Sequence, residues 1–103
     1  MIVFIADKLP DWCTDEIKNI GGSPVVRTGL KGKDLADALA EAEANVLIVR
    51  STKVPAEVID AAPALSLIIR AGAGVDNIDT DHAATRGIYV ANCPGTNSAA
   101  VAE

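Results

Sequence analysis

The sequence predicts a doubly wound α/β domain, in which helices cover both faces of a five-stranded parallel sheet. Short apolar runs alternate along the chain with amphipathic segments of helical period, an order typical of βαβ units. The apolar runs are continuous, as expected for strands that are buried on both faces. A chain of 103 residues that is 50% hydrophobic but only 3% aromatic can build one core from aliphatic side chains. We therefore expect a single domain.

Five runs rich in β-branched residues are interpreted as strands. They are Ile2–Ala6, Pro24–Arg27, Val46–Arg50, Leu67–Arg70 and Ile88–Ala91. Because these runs leave no room for a sixth strand, the flavodoxin-like order 2-1-3-4-5 fits better than a full dinucleotide-binding fold. Right-handed crossovers then connect the strands.

The segments between the strands have the spacing of amphipathic helices. The apolar positions of the first three are Cys13, Ile17 and Ile20, then Leu35, Leu39 and Ala42, then Val58, Ile59 and Ala62. Gly21-Gly22 is a stop signal for the first helix, and Pro55 is placed at the first position of the third. A shorter helix from Thr80 to Arg86 follows Asp79, a predicted N-cap, and ends at Gly87.

Composition excludes several classes of function. The formal net charge of -5 and the scattered single Trp, Tyr and Phe disfavour nucleic-acid binding. No apolar run approaches the roughly 18 residues of a membrane span, so we expect a cytoplasmic protein without membrane contact. Cys13 and Cys93 form no CxxC pair and the chain has one histidine, which predicts reduced thiols and no metal site.

The carboxyl ends of the predicted strands are the place to look for a ligand site, because ligands of open parallel sheets bind there. Arg50 and Ser51 follow the third strand. The planar guanidinium of an arginine matches a carboxylate or a phosphate, so this pair is the candidate site for an anionic ligand. The alternative is that Arg50 forms an ion pair with Asp7 or Glu57 and only fastens a loop.

Two further features resemble functional motifs. The glycine-rich loop after Arg70 offers small residues whose N–H groups could face an anion, whereas Arg70 itself is interpreted as structural. We reject Gly72-Ala73-Gly74 as a nucleotide fingerprint, because Asn77 stands where the last glycine belongs and the loop follows a fourth strand. The single histidine, His82, is expected to face solvent on a short helix that cannot hold a catalytic triad.

Successive blocks of the chain resemble the D-2-hydroxyacid dehydrogenase family in order and spacing. The blocks are Leu47–Ser51, Thr52–Val54, Arg70–Asp79, Ala83–Ile88, Asn92–Ser98 and Val101–Glu103. Within that family the likeness favours members that oxidise 3-phosphoglycerate to 3-phosphohydroxypyruvate with NAD for serine biosynthesis. The resemblance implies that residues 1–96 form a substrate-binding lid domain and that residues 97–103 begin a truncated linker helix towards an absent NAD-binding domain.

The same resemblance implies roles for particular residues. Arg50 and Ser51 would contact the anionic substrate, and the backbone amides of Gly72, Ala73 and Gly74 would hold its carboxylate. The positions near the cofactor would be Ala73, Thr96 and Asn97, and the segment Asn92–Asn97 would be the hinge between domains. Some relatives have Thr where this chain has Ala73, so a side-chain contribution to NAD binding is lost.

The family's GxGxxG segment and its catalytic Arg, Glu and His lie beyond the position of Glu103, so the resemblance places no catalytic residue in this chain. We expect the 103-residue polypeptide to be inactive by itself. The rival interpretation is a non-catalytic module that binds small anions. A flavodoxin or a receiver domain fits less well, because Asp7-Lys8 replaces a phosphate loop and Arg50 replaces the receiver's aspartate. Exposed apolar surface would favour a homodimer or other self-association.

Overall fold

The computed structural model of the chain describes residues 1–8, 15, 17–71 and 76–92. It contains one sheet, with strands β1 (Ile2–Ile5), β2 (Ser23–Val26), β3 (Val46–Val49), β4 (Leu67–Arg70) and β5 (Tyr89–Asn92). Every neighbouring pair is parallel, and the strands lie in the order β2-β1-β3-β4-β5. The predicted five-stranded α/β fold with order 2-1-3-4-5 is therefore confirmed.

Three helices have defined bounds, α1 (Lys33–Ala42), α2 (Ala56–Asp60) and α3 (Thr80–Thr85), and residues 17–19 are also helical. The N-cap of α3 is Asp79, whose side chain accepts a hydrogen bond from the N–H of His82, as predicted. Pro55 has an extended backbone with ψ of 173° and is the N-cap of α2, so that helix begins one residue later than predicted. No helix within the described ranges is long and apolar enough to cross a membrane.

The larger core lies on the sheet face that α1, α2 and α3 cover. Phe4, Leu47 and Ile68 project from the three central strands into this layer and are completely buried. The helices contribute buried side chains at the predicted spacing, including Leu35, Leu39, Val58 and Ile59 at 0% exposure and Ala83. Burial of aliphatic area on this face is the main force holding the helices to the sheet.

The opposite sheet face has a smaller core, formed by Val3, Ile5, Ile17 and Val46. Ile17 packs as predicted, but the prediction that Ile20 belongs to the same apolar face is wrong, because Ile20 is 69% exposed. The helical residues end at Asn19, so the helical period no longer applies at Ile20. Cys13, the remaining residue of that pattern, lies outside the described residues.

Candidate anion site at the carboxyl edge of the sheet

Parallel strands bring their carboxyl ends to one edge of the sheet, and three charged residues meet there. Asp7 comes two residues after the end of β1, Arg50 directly follows β3, and Arg70 is the last residue of β4. Because β1, β3 and β4 are neighbours in that order, the loop after β3 lies between the other two strand ends. This loop contains Ser51, the second residue of the predicted anion site.

The loop after β3 is fastened by Asp7. One carboxylate oxygen, Oδ2, accepts hydrogen bonds from the backbone N–H groups of Arg50 at 2.6 Å, Ser51 at 3.0 Å and Thr52 at 3.0 Å. The other oxygen, Oδ1, accepts a hydrogen bond from the Thr52 hydroxyl at 2.9 Å. Successive N–H groups that converge on one acceptor make an anion-binding concavity, and here an internal carboxylate occupies it. We call this arrangement the Asp7 clamp.

The Asp7 clamp changes the acidity of its own carboxyl. Burial by itself raises the pKa of Asp7, but the hydrogen bonds from the N–H groups of Arg50, Thr52 and Ser51 and from the Thr52 hydroxyl outweigh it. The net result is a pKa below the ordinary value for Asp7. The carboxylate is therefore ionised at neutral pH, and the loop stays fastened.

The backbone and the side chain of Arg50 have different contacts. The backbone N–H binds Asp7, whereas the guanidinium is exposed and makes no ion pair or hydrogen bond with any residue that the structure describes. The alternative of a side-chain ion pair with Asp7 or Glu57 is therefore not what holds the loop. An exposed, always charged fork of donors on a fixed backbone is suited to bind a carboxylate or a phosphate.

Arg70 supports the same loop from the other side. Its Nε donates a hydrogen bond to the carbonyl oxygen of Arg50 at 3.0 Å. This contact agrees with the structural role expected for Arg70. It also fixes the carbonyl of Arg50 without using the Arg50 side chain.

The two ends of the glycine-rich loop after β4 are held next to the loop after β3. On one side, the N–H of Ala71 donates to the carbonyl of Val49 at 2.8 Å. On the other side, the side chain of Asn77 donates through Nδ2 to the backbone carbonyl of Thr52 at 2.6 Å. The backbone carbonyl of Asn77 accepts a hydrogen bond from the N–H of Val54 at 2.8 Å. The chain on both sides of residues 72–75 is thus fixed close to Ser51 and Thr52. Gly72, Ala73 and Gly74 themselves lie outside the described residues, as do Thr96 and Asn97.

His82 is not part of this edge. Its Nε2 lies 2.7 Å from the Oδ1 of Asp60 at the end of α2, and the same oxygen lies 3.7 Å from the Nη1 of Arg86. The hydrogen bond with His82 is the main reason why the pKa of Asp60 is lowered. With its side chain 30% exposed, His82 joins α3 to α2, so the expectation that it simply faces solvent is incomplete.

The model of the family described as D-isomer specific 2-hydroxyacid dehydrogenase, catalytic domain, matches residues 3–103. The chain belongs to this family. Curated relatives include the D-3-phosphoglycerate dehydrogenases of Archaeoglobus fulgidus, 43% identical over 104 residues and 100% of this chain, and of Homo sapiens, 42% identical over 102 residues and 98% of this chain. The chain spans 19% of the length of each of those relatives.

Solved structures agree with the family assignment. The PH0520 protein of Pyrococcus horikoshii OT3 matches 98% of this chain with a TM-score of 0.83 and 30% identity, and the match covers 30% of that protein. A 3-phosphoglycerate dehydrogenase of Entamoeba histolytica, described as bound to NAD⁺, matches 99% of this chain with a TM-score of 0.79 and 32% identity, and the match covers 35% of that protein.

Sequence reasoning found Arg50 and Ser51 at the carboxyl edge but missed the function of Asp7. The signal was present, because a carboxylate after β1 lies beside the loop after β3 whenever strands 1 and 3 are neighbours. It was interpreted as a partner for a guanidinium, whereas its actual partners are backbone N–H groups, which every residue type supplies.

Proposed function

We propose that this chain is the substrate-binding part of an NAD-dependent oxidoreductase that acts on a D-2-hydroxy acid. The proposed substrate is 3-phosphoglycerate, the product is 3-phosphohydroxypyruvate, and the pathway is serine biosynthesis. The observation that supports this most directly is the exposed guanidinium of Arg50, which pairs with no described residue and lies on a loop fixed by the Asp7 clamp. The names of the curated relatives support the choice of substrate.

In this proposal, Arg50 and Ser51 bind and orient the substrate. The guanidinium forms paired hydrogen bonds to an anionic group of the substrate, and the Ser51 hydroxyl adds a neutral one. The Asp7 clamp keeps the backbone of both residues in place before the substrate arrives, so little ordering is needed on binding. The amides of Gly72, Ala73 and Gly74 would complete the site around the carboxylate.

The described residues do not fit NAD. A dinucleotide fold needs a glycine-rich turn after β1, but Asp7-Lys8 follows that strand, and the Asp7 carboxylate places a negative charge at that strand end. We therefore assign NAD mainly to the part of the relatives' length that this chain does not span. Ala73, Thr96 and Asn97 remain the positions proposed to lie near it.

Titration of the ¹⁵N-labelled chain with 3-phosphoglycerate tests the binding role. We expect the ligand to shift amide signals around Arg50 and Ser51. Arg50→Gln should weaken binding at least about tenfold, since a hydrogen-bonded charge pair contributes on the order of 1.5–3 kcal/mol. The matched control is Arg27→Gln, another exposed arginine at the end of a strand, and it should leave the affinity unchanged.

A dehydrogenase assay tests whether this chain binds the substrate without carrying out the reaction. The 103-residue chain with 3-phosphoglycerate and NAD should give no NADH above background. Turnover by the chain alone would contradict the assignment of the chemistry to the remainder of the enzyme. Equal binding by the wild type and Arg50→Gln would contradict the role of Arg50.

A further inference from the structure

Thr52 is held from two sides of the carboxyl edge. On the β1 side, the Asp7 clamp accepts hydrogen bonds from the N–H and from the hydroxyl of Thr52. On the β4 side, Nδ2 of Asn77 donates to the backbone carbonyl of Thr52 at 2.6 Å. The N–H, the hydroxyl and the carbonyl of Thr52 are therefore all engaged. This residue directly follows Arg50 and Ser51, so its position bears on the position of both.

The backbone of Asn77 is fixed independently of its side chain. Its carbonyl accepts from the N–H of Val54 at 2.8 Å, and the carbonyl of Val54 accepts from the N–H of Asp79 at 3.0 Å. These bonds form a parallel bridge between Val54 and Ile78, whose side chains are buried in the larger core. Removal of the Asn77 side chain should therefore leave this bridge in place and release only the carbonyl of Thr52.

The carboxamide of Asn77 has one defined orientation. The backbone carbonyl of Thr52 can only accept hydrogen bonds, so the nitrogen of the carboxamide must face it. The oxygen at the other end, Oδ1, is buried and accepts no hydrogen bond from the residues that the structure describes. Buried oxygens are nearly always hydrogen-bonded, and one without a partner lowers stability. The loss at Oδ1 offsets the gain at Nδ2, so this side chain adds little to the stability of the fold.

We infer that Asn77 is a positioning residue for the anion site of Arg50 and Ser51. Arg70 holds the start of the loop after β3 through the carbonyl of Arg50. Asn77 holds the end of the loop through the carbonyl of Thr52, and Ser51 lies between the two. Without this contact, Ser51 and Thr52 are fastened by the Asp7 clamp alone, so more ordering is needed when a ligand binds. The inference rests on the proposed function and concerns a side chain that does not itself bind the substrate.

Three measurements on Asn77→Ala in the full chain test this inference. Amide hydrogen exchange of Ser51 and Thr52 should become faster, whereas that of Leu47, in the central strand β3, should not change. The midpoint of urea unfolding should stay close to that of the wild type, because one unpartnered acceptor, Oδ1 of Asn77, is exchanged for another, the carbonyl of Thr52. The affinity for 3-phosphoglycerate should fall about three- to tenfold, which corresponds to the usual contribution of one neutral hydrogen bond.

Thr85→Val is the matched control. The hydroxyl of Thr85 donates to the backbone carbonyl of His82 at 2.6 Å, so this variant also removes a side-chain hydrogen bond of that length to a backbone carbonyl, but within α3. It should change neither the exchange of Ser51 and Thr52 nor the affinity for 3-phosphoglycerate.

Two kinds of result overturn the positioning role. One is wild-type exchange and affinity in Asn77→Ala, or an equal loss of affinity in Thr85→Val. The other is an Asn77→Ala chain that is unfolded by its amide spectrum, or in which exchange of Leu47 accelerates as much as that of Ser51, because the side chain then supports the fold as a whole.

Failure of this inference and failure of the proposed function give different results. If Arg50→Gln weakens the binding of 3-phosphoglycerate and Asn77→Ala does not, the inference is overturned and the proposed function stands. If the wild type does not bind 3-phosphoglycerate, the proposed function is overturned together with the effect of Asn77 on affinity.

Discussion

Removal of the Asp7 carboxylate should destabilise the chain and release the loop that presents Arg50. In Asp7→Ala, four hydrogen bonds to one carboxylate are lost, those from three backbone N–H groups and from the Thr52 hydroxyl. The bonds from Arg50 and Ser51 lie at exposed positions, where water replaces the carboxylate. Values at the low end of the usual range therefore apply, and we expect a loss of about 2–3 kcal/mol in the free energy of unfolding.

Asp7→Asn is the more informative variant. Its side-chain oxygen can still accept from the three N–H groups, but the charge is gone and an NH₂ group faces the Thr52 hydroxyl in place of an acceptor. We expect about half the loss of Asp7→Ala, about 1–1.5 kcal/mol, since only charge assistance and one hydrogen bond change. Asp37→Asn, an exposed change within α1, serves as the control for a lost surface charge.

Urea unfolding followed by far-UV circular dichroism measures the loss, and amide spectra locate it. The signals of Arg50, Ser51 and Thr52 should move the most in Asp7→Asn, because their N–H groups lose a charged acceptor. If Asp7→Asn and Asp37→Asn lose the same small stability, or if these three amides do not move, the Asp7 clamp is not what fixes the loop.

The clamp also predicts a dependence on pH. The pKa of Asp7 is lowered in the folded chain, so its stabilising effect is complete above the pKa of the unfolded chain and is lost as the pH falls through the folded value. Unfolding midpoints measured from pH 7 down to strongly acidic pH should therefore fall less steeply in Asp7→Asn than in the wild type. Equal slopes would refute the linkage. Asp60→Asn should flatten the profile separately, because the pKa of Asp60 is also lowered.

Three further outcomes are expected. We propose that the chain self-associates through the sheet face on which Tyr89 lies 80% exposed. Tyr89→Ser should then lower the weight-average mass in sedimentation. A wild-type chain that stays monomeric at every concentration would exclude self-association. A double-mutant cycle of His82→Gln and Asp60→Asn should show a favourable coupling in thermal unfolding that weakens in 1 M salt, and additive effects would show that the 2.7 Å contact does not join the helices. Gly22→Ala should lower the melting temperature, because a Cβ there would lie 2.8 Å from Cγ2 of Ile17, and an unchanged melting temperature would mean that this side chain moves away freely.

The strand order could be predicted from the sequence because it follows from the number of apolar runs and from their need for burial. Continuous apolar runs require burial on both faces, and five of them in this length leave few ways to cover a parallel sheet. The ends of elements were less certain because they depend on local geometry. Pro55 caps α2 instead of entering it, and Ile20 continues a helical spacing beyond the last helical residue.

The site was only partly predictable for a different reason. Arg50 was found because a charged residue after an apolar run is visible in one segment of the sequence. The Asp7 clamp depends on segments that meet only after folding, since Asp7 reaches the loop after β3 through the pairing of β1 with β3.

The Asp7 clamp also limits how this edge can recognise a ligand. Many anion sites at strand ends use successive backbone N–H groups, but those of Arg50, Ser51 and Thr52 are already bound to an internal carboxylate. On this loop, recognition is therefore left to side chains, the guanidinium of Arg50 and the hydroxyl of Ser51. Exposed charges of this kind are screened by salt, whereas the Asp7 clamp, with half of its bonds partly buried, is screened less. Raising the ionic strength should thus weaken ligand binding while leaving the loop in place.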